Sequence, residues 1–480
     1  MRSPRVALRS ALRLAGLVGL LRPWRLLGQS ETRELFVEGY AGRQSVAPGD
    51  SLTLHLNTSA PKVAVEIRRL GAKPAVVWSS NEVPGAEHPT PPDASSHGCR
   101  WPAALTLPVP ADWRSGYYLV TFRVRDHGGA FFHRGTRTAE GSCFFVLRPA
   151  RDAKPRPILL QLSTHTYNAY NNWGGFSLYA YNGRGGNQGH RVSFQRPPLP
   201  QFANWEQPFV EWAESNGIEL DYATNGDLEF HPEVLQGRRL VLSVGHDEYW
   251  SAGMRRNLEA FLEGGGNVAF FSGNTCCWQV RPEDDGEALT CWKQNYHSDP
   301  VYAARGSQAT LSSLWSHHLV GNPENRLTGV GFLWGGYHLS HGQLMDGSGA
   351  YTVHRPEHWL FEGTGLKRGD AFGGKDTVVG YECDGCELEW RDGLPFPTHR
   401  DGTPESFEVL GTAPAQWHPD DCQWYDRWEN GRRGHAVLGV HRRGGGTVFT
   451  CGSTDWAHGL RGNDPAVVRI TRNVLDRLSR

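Results

Sequence analysis

The chain has 480 residues, with 49 lysines and arginines against 50 aspartates and glutamates, so its formal net charge is −1. This balance gives no electrostatic basis for binding nucleic acid or an anionic membrane surface. A hydrophobic share of 39% and a mean hydropathy of −0.50 are typical of a soluble globular protein. The length suffices for roughly three domains.

The first segment, residues 1–33, is a basic extension that we expect to contribute nothing to the folded core. No acidic residue precedes Glu31, and the apolar patch at 14–21 is too short to span a bilayer. The patch could belong to a signal peptide, but arginines follow it and a small-residue cleavage site does not. An amphipathic extension or a start codon placed too early explains it equally well. The sequence favours a cytoplasmic protein without a membrane span.

Residues 34–150 carry the pattern of an all-β domain. Apolar and polar residues alternate over 51–56, 63–67 and 118–124, and turn residues recur between these runs. Several short strands without a helical pattern predict an immunoglobulin-like β-sandwich. Residues 148–157 then read as a linker.

Residues 151–480 change to an alternation of strands and helices. Predicted strands lie at 157–162, 218–223, 240–244, 267–271 and 447–451, and predicted helices at 208–217, 254–264 and 464–478. This alternation indicates an α/β domain with a doubly wound parallel sheet. The region around 283–445 is rich in Gly, Trp and His, and we expect long loops and short strands inserted in that domain.

The most informative stretch follows the predicted strand at 240–244. Ser251 has the position of a helix N-cap, so His246 and Glu248 lie between a strand end and a helix start. Ligands of open α/β sheets bind at the carboxyl ends of their strands. The stretch therefore predicts a functional site. The alternative is a strand-to-helix turn without a chemical role, in which Asp247 only stabilises the helix N-terminus.

Other chemically capable residues also follow predicted strands. Tyr170 lies in the polar stretch 167–175, Asn274 follows the strand at 267–271, and Glu382 ends the short apolar run at 378–381. Asn274 could donate to a developing oxyanion. Cys276 or Cys277 could be a nucleophile, although the flanking residues lack the glycine pattern of a nucleophile elbow. Asp455 follows the last strand and could orient groups at the same rim.

The nine cysteines do not indicate a zinc ribbon. Cys383 and Cys386 form a lone C-x-x-C without a second pair. We expect a solvent-facing turn there, with either a local disulfide or free thiols.

Four strings taken together resemble a known family. TYNAYNNWGG, SVGHDEYWS, SGNTCCWQVR and GYE, in this order, are similar to the C-terminal region of the large (β) subunit of N,N-dimethylformamidase. The resemblance covers about residues 110–478. It implies a sandwich-like module followed by a glutamine-amidotransferase-like, flavodoxin-like α/β domain.

The resemblance also implies a mononuclear iron held by two tyrosines and one glutamate. Glu248 is similar to the carboxylate ligand and Tyr170 to one tyrosine ligand, and Tyr118 is our prediction for the second, with Tyr117 as its rival. Phenolate and carboxylate oxygens are hard donors that suit ferric iron. His246 resembles the catalytic histidine, Glu382 an acidic partner or base, and Asn274 a residue of the substrate site.

The resulting hypothesis is an iron-dependent amidohydrolase acting on a C–N bond of a small amide. The family enzyme pairs with a small subunit, so we expect either such a partner or a homo-oligomer. Two alternatives stay open at this point. One is a cysteine hydrolase using Cys276 or Cys277, and the other is a non-catalytic or carbohydrate-binding protein whose 18 tryptophans stack on sugars.

Overall fold

The fold is taken from a computed structural model, which describes residues 34–126, 137–304, 306–340, 343–344, 349–418 and 433–480. The basic extension at 1–33 lies outside the described residues. Among the described helices, none combines the length and the apolar character needed to cross a bilayer.

The N-terminal part consists of two sheets around one apolar core. Its strands are β1 (Val37–Ala41), β2 (Ser45–Val46), β3 (Ser51–Thr58), β4 (Lys62–Arg69), β5 (Ala75–Pro84), β6 (Ala103–Pro108), β7 (Gly116–Asp126) and β8 (Arg137–Leu147). One sheet has the order β1-β3-β6 and the other β2-β8-β7-β4-β5. Alternate residues such as Leu52, Leu54 and Leu56 point inward and are buried, as the period of a strand requires. A short helix, α1 (Ala94–His97), precedes β6.

The second part begins after residue 157 and is organised around one large mixed sheet. Its first strands are β9 (Ile158–Leu162), β10 (Arg191–Ser193), β11 (Leu220–Thr224), β12 (Leu240–His246), β13 (Tyr249–Ser251), β14 (Asn267–Gly273), β15 (Trp278–Glu283) and β16 (Ala288–Thr290). Its later strands are β17 (Gly331–Tyr337), β18 (Leu339–Ser340), β19 (Gln343–Leu344), β20 (Tyr351–Val353), β21 (Ala371–Phe372), β22 (Glu382–Gly385), β23 (Leu388–Arg391), β24 (Leu394–Pro397), β25 (Glu408–Gln416), β26 (Arg433–Arg443) and β27 (Gly446–Thr450).

The helices of this part are α2 (Thr164–Tyr170), α3 (Glu206–Ser215), α4 (Asn225–Phe230), α5 (Ala252–Glu263), α6 (Pro300–Ala303), α7 (Asn325–Thr328), α8 (Trp456–Arg461) and α9 (Pro465–Leu478). Four of these described helices begin at N-caps whose side chains accept backbone N–H groups, namely Thr224, Ser251, Asp299 and Asp464. Ser251 accepts from Met254 at 3.2 Å, and Asp464 accepts from Ala466 and Val467 at 2.9 and 3.0 Å. The helices predicted at 254–264 and 464–478 are therefore observed, and the predicted N-cap at Ser251 is confirmed.

The large sheet runs β11-β9-β12-β14-β27-β26-β25-β17-β22. Its first five strands pair in parallel, and in chain order they read 2-1-3-4-5. Both faces are covered, because Leu242 and Val244 of β12 enter one core whereas Val241 enters another. The remaining four strands extend the sheet in antiparallel pairs.

This antiparallel half is a difference from the sequence analysis, which expected inserted loops and short strands around 283–445. β25 and β26 have 9 and 11 residues and belong to the main sheet. Their residues are buried in a run rather than in strict alternation, because helices and loops cover both faces. That burial removes the period of two that the sequence prediction relies on.

Glu206, at the start of α3, gives a stability prediction. Its side chain is buried and accepts a hydrogen bond from the Tyr167 hydroxyl. Burial raises the pKa of Glu206 from 4.5 to about 7, so the folded protein holds the proton longer than the unfolded chain. The stabilisation is complete below pH 4.5 and is lost as the pH rises to about 7. We expect Glu206→Gln to change the free energy of unfolding differently at the two pH values. The gain in stability at pH 8 should exceed the gain at pH 4.5 by about 1–3 kcal/mol.

Denaturant titrations at the two pH values measure this difference. Glu214→Gln is a control with a pKa shift in the opposite direction, because the ion pair with Arg69 lowers the pKa of Glu214. Equal gains for Glu206→Gln at both pH values would contradict the raised pKa.

Candidate metal and amide-hydrolysis site

The predicted functional stretch lies at the carboxyl end of β12. His246 is the last residue of the strand, and Glu248 follows in extended chain before β13. Both side chains point the same way, as residues two apart in extended chain do. Gly245 has a φ of +82°, and a Cβ there would lie 2.2 Å from the Trp205 Cβ, so only glycine lets Trp205 pack against this strand end.

Glu248 is the centre of the site. Its carboxylate accepts hydrogen bonds from the hydroxyls of Tyr170 at 2.8 Å and of Tyr179 at 2.8 and 2.9 Å. The indole Nε1 of Trp278 donates to the same carboxylate at 2.8 Å. The backbone N–H of Glu248 donates to Thr166 on α2, which fixes the strand end against the helix that carries Tyr170.

His246 lies between two carboxylates. Its Nε2 is 2.7 Å from the nearest Glu382 oxygen and 3.2 Å from the nearest Glu248 oxygen, in an ion-pair contact not aligned as a hydrogen bond to either. Burial alone would lower the pKa of His246, but the two carboxylate charges outweigh it and raise the pKa to about 10. Burial raises the pKa of Glu382, whereas contact with His246 overcomes burial and lowers the pKa of Glu248. The two carboxyls therefore differ in their affinity for a proton: Glu382 can accept one, whereas Glu248 stays an anion.

Asn274 joins this group from the end of β14. Its Nδ2 donates to Glu382 at 3.2 Å, and its Oδ1 is buried with no hydrogen-bond partner among the described residues. A buried acceptor of this kind carries a desolvation cost unless a ligand satisfies it. The oxygen therefore suits a donor on a bound molecule.

Lys293 provides a buried positive charge beside the tyrosines. Its ammonium nitrogen is 3.2 Å from the ring centre of Tyr179 and 4.9 Å from that of Trp278, in cation–π contact. Burial lowers the pKa of Lys293 to about 8, although the Glu248 charge opposes the shift. A cation on the ring face favours negative charge on the Tyr179 oxygen.

The mouth of the site is aromatic. The rings of Trp205 and Tyr381 lie 5.3 and 6.1 Å from the His246 ring, and Tyr181 lies 5.4 Å from Tyr179. Asp455, expected at this rim, accepts from the Trp205 indole at 2.7 Å and from the Tyr381 backbone at 3.1 Å. Small apolar substituents fit such a rim better than charged groups.

The structure brings together five of the six predicted site residues: Tyr170, His246, Glu248, Asn274 and Glu382. It does not bring Tyr118 there. The Tyr118 hydroxyl donates to the Arg114 carbonyl at 2.6 Å, and its ring packs in the core of the N-terminal sheets. Its rival Tyr117 points into another core and stacks on Phe202.

Sequence reasoning missed Tyr179, Trp278 and Lys293 as site residues. Tyr179 lies in a loop without strand or helix pattern, so its approach to Glu248 depends on the path of the chain between α2 and β10. A second tyrosine pair, Tyr179 and Tyr181, directly after the TYNAYNNWGG string was the available signal.

The cysteines lie outside the reacting groups. Cys276 and Cys277 are buried, and burial raises the pKa of both thiols well above 9, so neither is a thiolate near neutral pH. The solvent-facing turn expected for Cys383 and Cys386 is wrong. Both side chains are buried, in separate apolar clusters, because Cys383 lies on β22 and Cys386 directly follows that strand. Both are free thiols.

The donor set suits a hard trivalent cation. Among the described residues no group of three or more His, Cys, Asp and Glu side chains is arranged to hold a metal ion. The two phenols and Glu248 form a different, all-oxygen set, and three monoanionic oxygens balance a charge of +3. Burial, followed by the Glu248 charge, raises the pKa of Tyr170 and Tyr179 well above 10. Both phenol protons are directed at the carboxylate, where a cation would replace them.

The chain is similar to known proteins over most of its length. Residues 64–467 match the family described as N,N-dimethylformamidase beta subunit-like, C-terminal, and the chain belongs to that family. It is 25% identical over 449 residues to the N,N-dimethylformamidase beta subunit of an Alcaligenes species, covering 79% of this chain and 54% of that protein.

A second relative is the beta subunit of N,N-dimethylformamidase from Paracoccus aminophilus. It is 25% identical over 448 residues, which cover 78% of this chain and 54% of that protein. The chain therefore spans about half the length of the relatives it matches. Among solved structures, a beta-galactosidase from Bacillus circulans sp. alkalophilus matches 67% of this chain and 32% of its own, with 12% identity. Its TM-score of 0.31 is too low to carry an argument.

Proposed function

We propose that this protein is an iron-dependent amidohydrolase that hydrolyses the C–N bond of a small amide. Family membership supports an amidohydrolase-type role. The observation that carries the finer proposal is the meeting of two tyrosine hydroxyls on the Glu248 carboxylate, beside the His246–Glu382 pair.

In this proposal Tyr170, Tyr179 and Glu248 hold a single ferric ion. Tyr179 takes the part that the sequence analysis gave to Tyr118, because Tyr179 contacts Glu248 and Tyr118 contacts Arg114. A bound ferric ion would act as a Lewis acid on the amide carbonyl. Lys293 would favour the anionic form of Tyr179 through its ring contact.

Side chains of the protein would transfer the proton that the reaction moves. Water forms the new bond to the carbonyl carbon, the C–N bond breaks, and one proton of the water must reach the departing nitrogen. Glu382, with its raised pKa, accepts the proton, and His246, 2.7 Å away, delivers it to the amine. Asn274 would accept an N–H or O–H donor through Oδ1, and the aromatic rim would hold apolar substituents and exclude bulk water.

The proposal includes four further expectations. The 2-1-3-4-5 strand order supports a flavodoxin-like, glutamine-amidotransferase-like assignment of the second part. The paired sheets of the first part support an immunoglobulin-like one. The names of the relatives as beta subunits support a partner subunit, and the free thiols among the described cysteines support a cytoplasmic location.

The test is to purify the chain from iron-supplied cells, measure its metal content by mass spectrometry and record its visible spectrum. N,N-dimethylformamide and a panel of small amides are then assayed with the same sample. Near-stoichiometric iron, a tyrosinate-to-iron charge-transfer band and release of an amine support the proposal. A colourless, iron-free protein that hydrolyses no amide, alone or with the small subunit of a relative, contradicts it.

A matched pair of variants tests the ligand assignment. We expect Tyr179→Phe to lose most of the visible band, because one phenolate ligand is removed. Tyr118→Phe should keep the band and the iron and lose about 1 kcal/mol of stability, because only the hydrogen bond to Arg114 is removed. Visible spectra and thermal melts of both variants measure this, and the reverse pattern would return the ligand role to Tyr118.

A further inference from the structure

Asp384 is a buried carboxylate that the proposed reaction does not use. It lies on β22 two residues after Glu382 and has no solvent exposure. Its Oδ1 accepts the backbone N–H of Asn274 at 2.8 Å, and its Oδ2 accepts the backbone N–H of Thr275 at 3.0 Å. One carboxylate thus binds two successive peptide groups at the end of β14.

The turn that Asp384 binds is conformationally unusual. Asn274 has a φ of +50°, in the left-handed region that residues other than glycine seldom adopt. Such a conformation persists only where surrounding contacts enforce it. The two backbone N–H groups that donate to the buried Asp384 carboxyl supply that enforcement, because each hydrogen bond fixes one peptide group of the turn.

The consequence of this turn is the placement of the Asn274 side chain. Its Nδ2 donates to Glu382 at 3.2 Å, and its unpartnered Oδ1 stays buried at the site. The approach is close, because a Cβ at the preceding Gly273 would lie 2.6 Å from the Glu382 carbonyl oxygen. Rotating Asn274 into the ordinary right-handed region would withdraw the side chain from Glu382.

We infer that Asp384 is a positioning residue, which clamps the 274–275 backbone so that Asn274 orients Glu382 and presents an acceptor to the substrate. The reaction part of this inference rests on the proposed function, whereas the backbone clamp does not. Asp384 touches none of Tyr170, Tyr179 and Glu248 through the hydrogen bonds described, so its loss should leave iron binding intact.

The first experiment is hydrogen exchange on the full chain with the variant Asp384→Asn. An asparagine keeps the shape but offers one acceptor, and its amide group faces the second N–H. We expect the peptide containing Asn274 and Thr275 to exchange about 10-fold faster or more, while peptides of β9 and α9 are unchanged. Asp227→Asn is the matched control, because Asp227 is also a buried carboxylate that accepts a backbone N–H, at 2.8 Å from Thr224, away from the site. Unchanged exchange at 274–275 in Asp384→Asn would overturn the clamp whether or not the protein hydrolyses amides.

The second experiment is a double-variant cycle with N,N-dimethylformamide as the probe. We expect Asp384→Asn to lower kcat about 10–100-fold, as misplacements of about 1 Å do, with iron content and visible band unchanged. In an Asn274→Ala background the same change should alter kcat less than about 3-fold, because the group it positions is absent. Equal effects in both backgrounds would overturn the positioning role. A wild-type chain without activity would instead point to failure of the proposed function.

A second variant keeps the inference testable if Asp384→Asn does not fold. Asn274→Gly adopts a positive φ without strain and removes only the side chain. We expect it to retain the exchange protection of Thr275 and to lose activity to the same extent as Asn274→Ala. Full activity in Asn274→Gly would show that the clamp serves no side chain at this position.

Discussion

Replacing Glu248 by glutamine is expected to abolish iron binding and, with it, amide hydrolysis. The carboxylate accepts hydrogen bonds from Tyr170, Tyr179 and Trp278. In the proposed site it would also supply, with the two phenolates, the negative charge that balances a trivalent cation. Glutamine has one acceptor oxygen, carries no charge and directs an amide group at hydroxyls that donate. Loss of groups merely surrounding a metal site costs about 10–100-fold in affinity, so loss of a ligand should cost at least 100-fold.

Metal content by mass spectrometry and the visible band measure this effect. Glu206→Gln is the matched control, because Glu206 is equally buried and also accepts a tyrosine hydroxyl, yet lies outside the site. Full iron and an unshifted band in Glu248→Gln would remove Glu248 from the ligand set and leave the proposed metal centre without its central residue.

The second large effect is expected for His246→Gln, which should lower kcat about 10²–10⁴-fold while the protein still binds iron, with an affinity lower by about 10–100-fold. The histidine contacts both Glu248 and Glu382, so it links the proposed proton acceptor to the proposed ligand. Glutamine preserves some hydrogen bonding but transfers no proton, and the expected loss is that of one general acid–base group.

A histidine elsewhere in the fold serves as its control. His441 is buried, with Nε2 3.1 Å from the Leu327 carbonyl, and burial lowers its pKa to about 4. His441→Gln should keep kcat within about 3-fold and should act only on stability. A His246→Gln enzyme with kcat near the wild-type value would leave proton transfer to Glu382 alone.

Local sequence signals sufficed where one element alone determines geometry. β12, the N-cap at Ser251 and the helix behind it place His246 and Glu248 together, and each has a signature within a dozen residues. Strand-end reasoning also placed Asn274, which directly follows β14. Glu382 was expected at the end of an apolar run at 378–381, but it is the first residue of β22.

The remainder depends on long-range packing that periodicity does not encode. Tyr179 reaches Glu248 from an irregular loop, and Lys293, which has a φ of +55°, packs on the Tyr179 ring. Tyr118 was predicted from resemblance, but its hydroxyl satisfies the Arg114 carbonyl within its own sheet. β22 has only four residues, all of them buried, so its sequence shows no alternation of apolar and polar residues. The strand was therefore not predicted, and Cys383 and Cys386 were expected in a turn.

The division of the main sheet into a parallel and an antiparallel half has a consequence for assembly. Glu248 follows β12 of the parallel half, whereas Glu382 arrives on β22, 108 positions after Asn274 along the chain. The contacts of Glu248 with Tyr170 and Tyr179 span 78 and 69 positions. Contacts of such high sequence separation slow folding, because conformational entropy is lost before any contact compensates it. The tyrosines, Glu248 and Glu382 therefore come together only when distant parts of the chain meet, and no short fragment of the chain would carry the site.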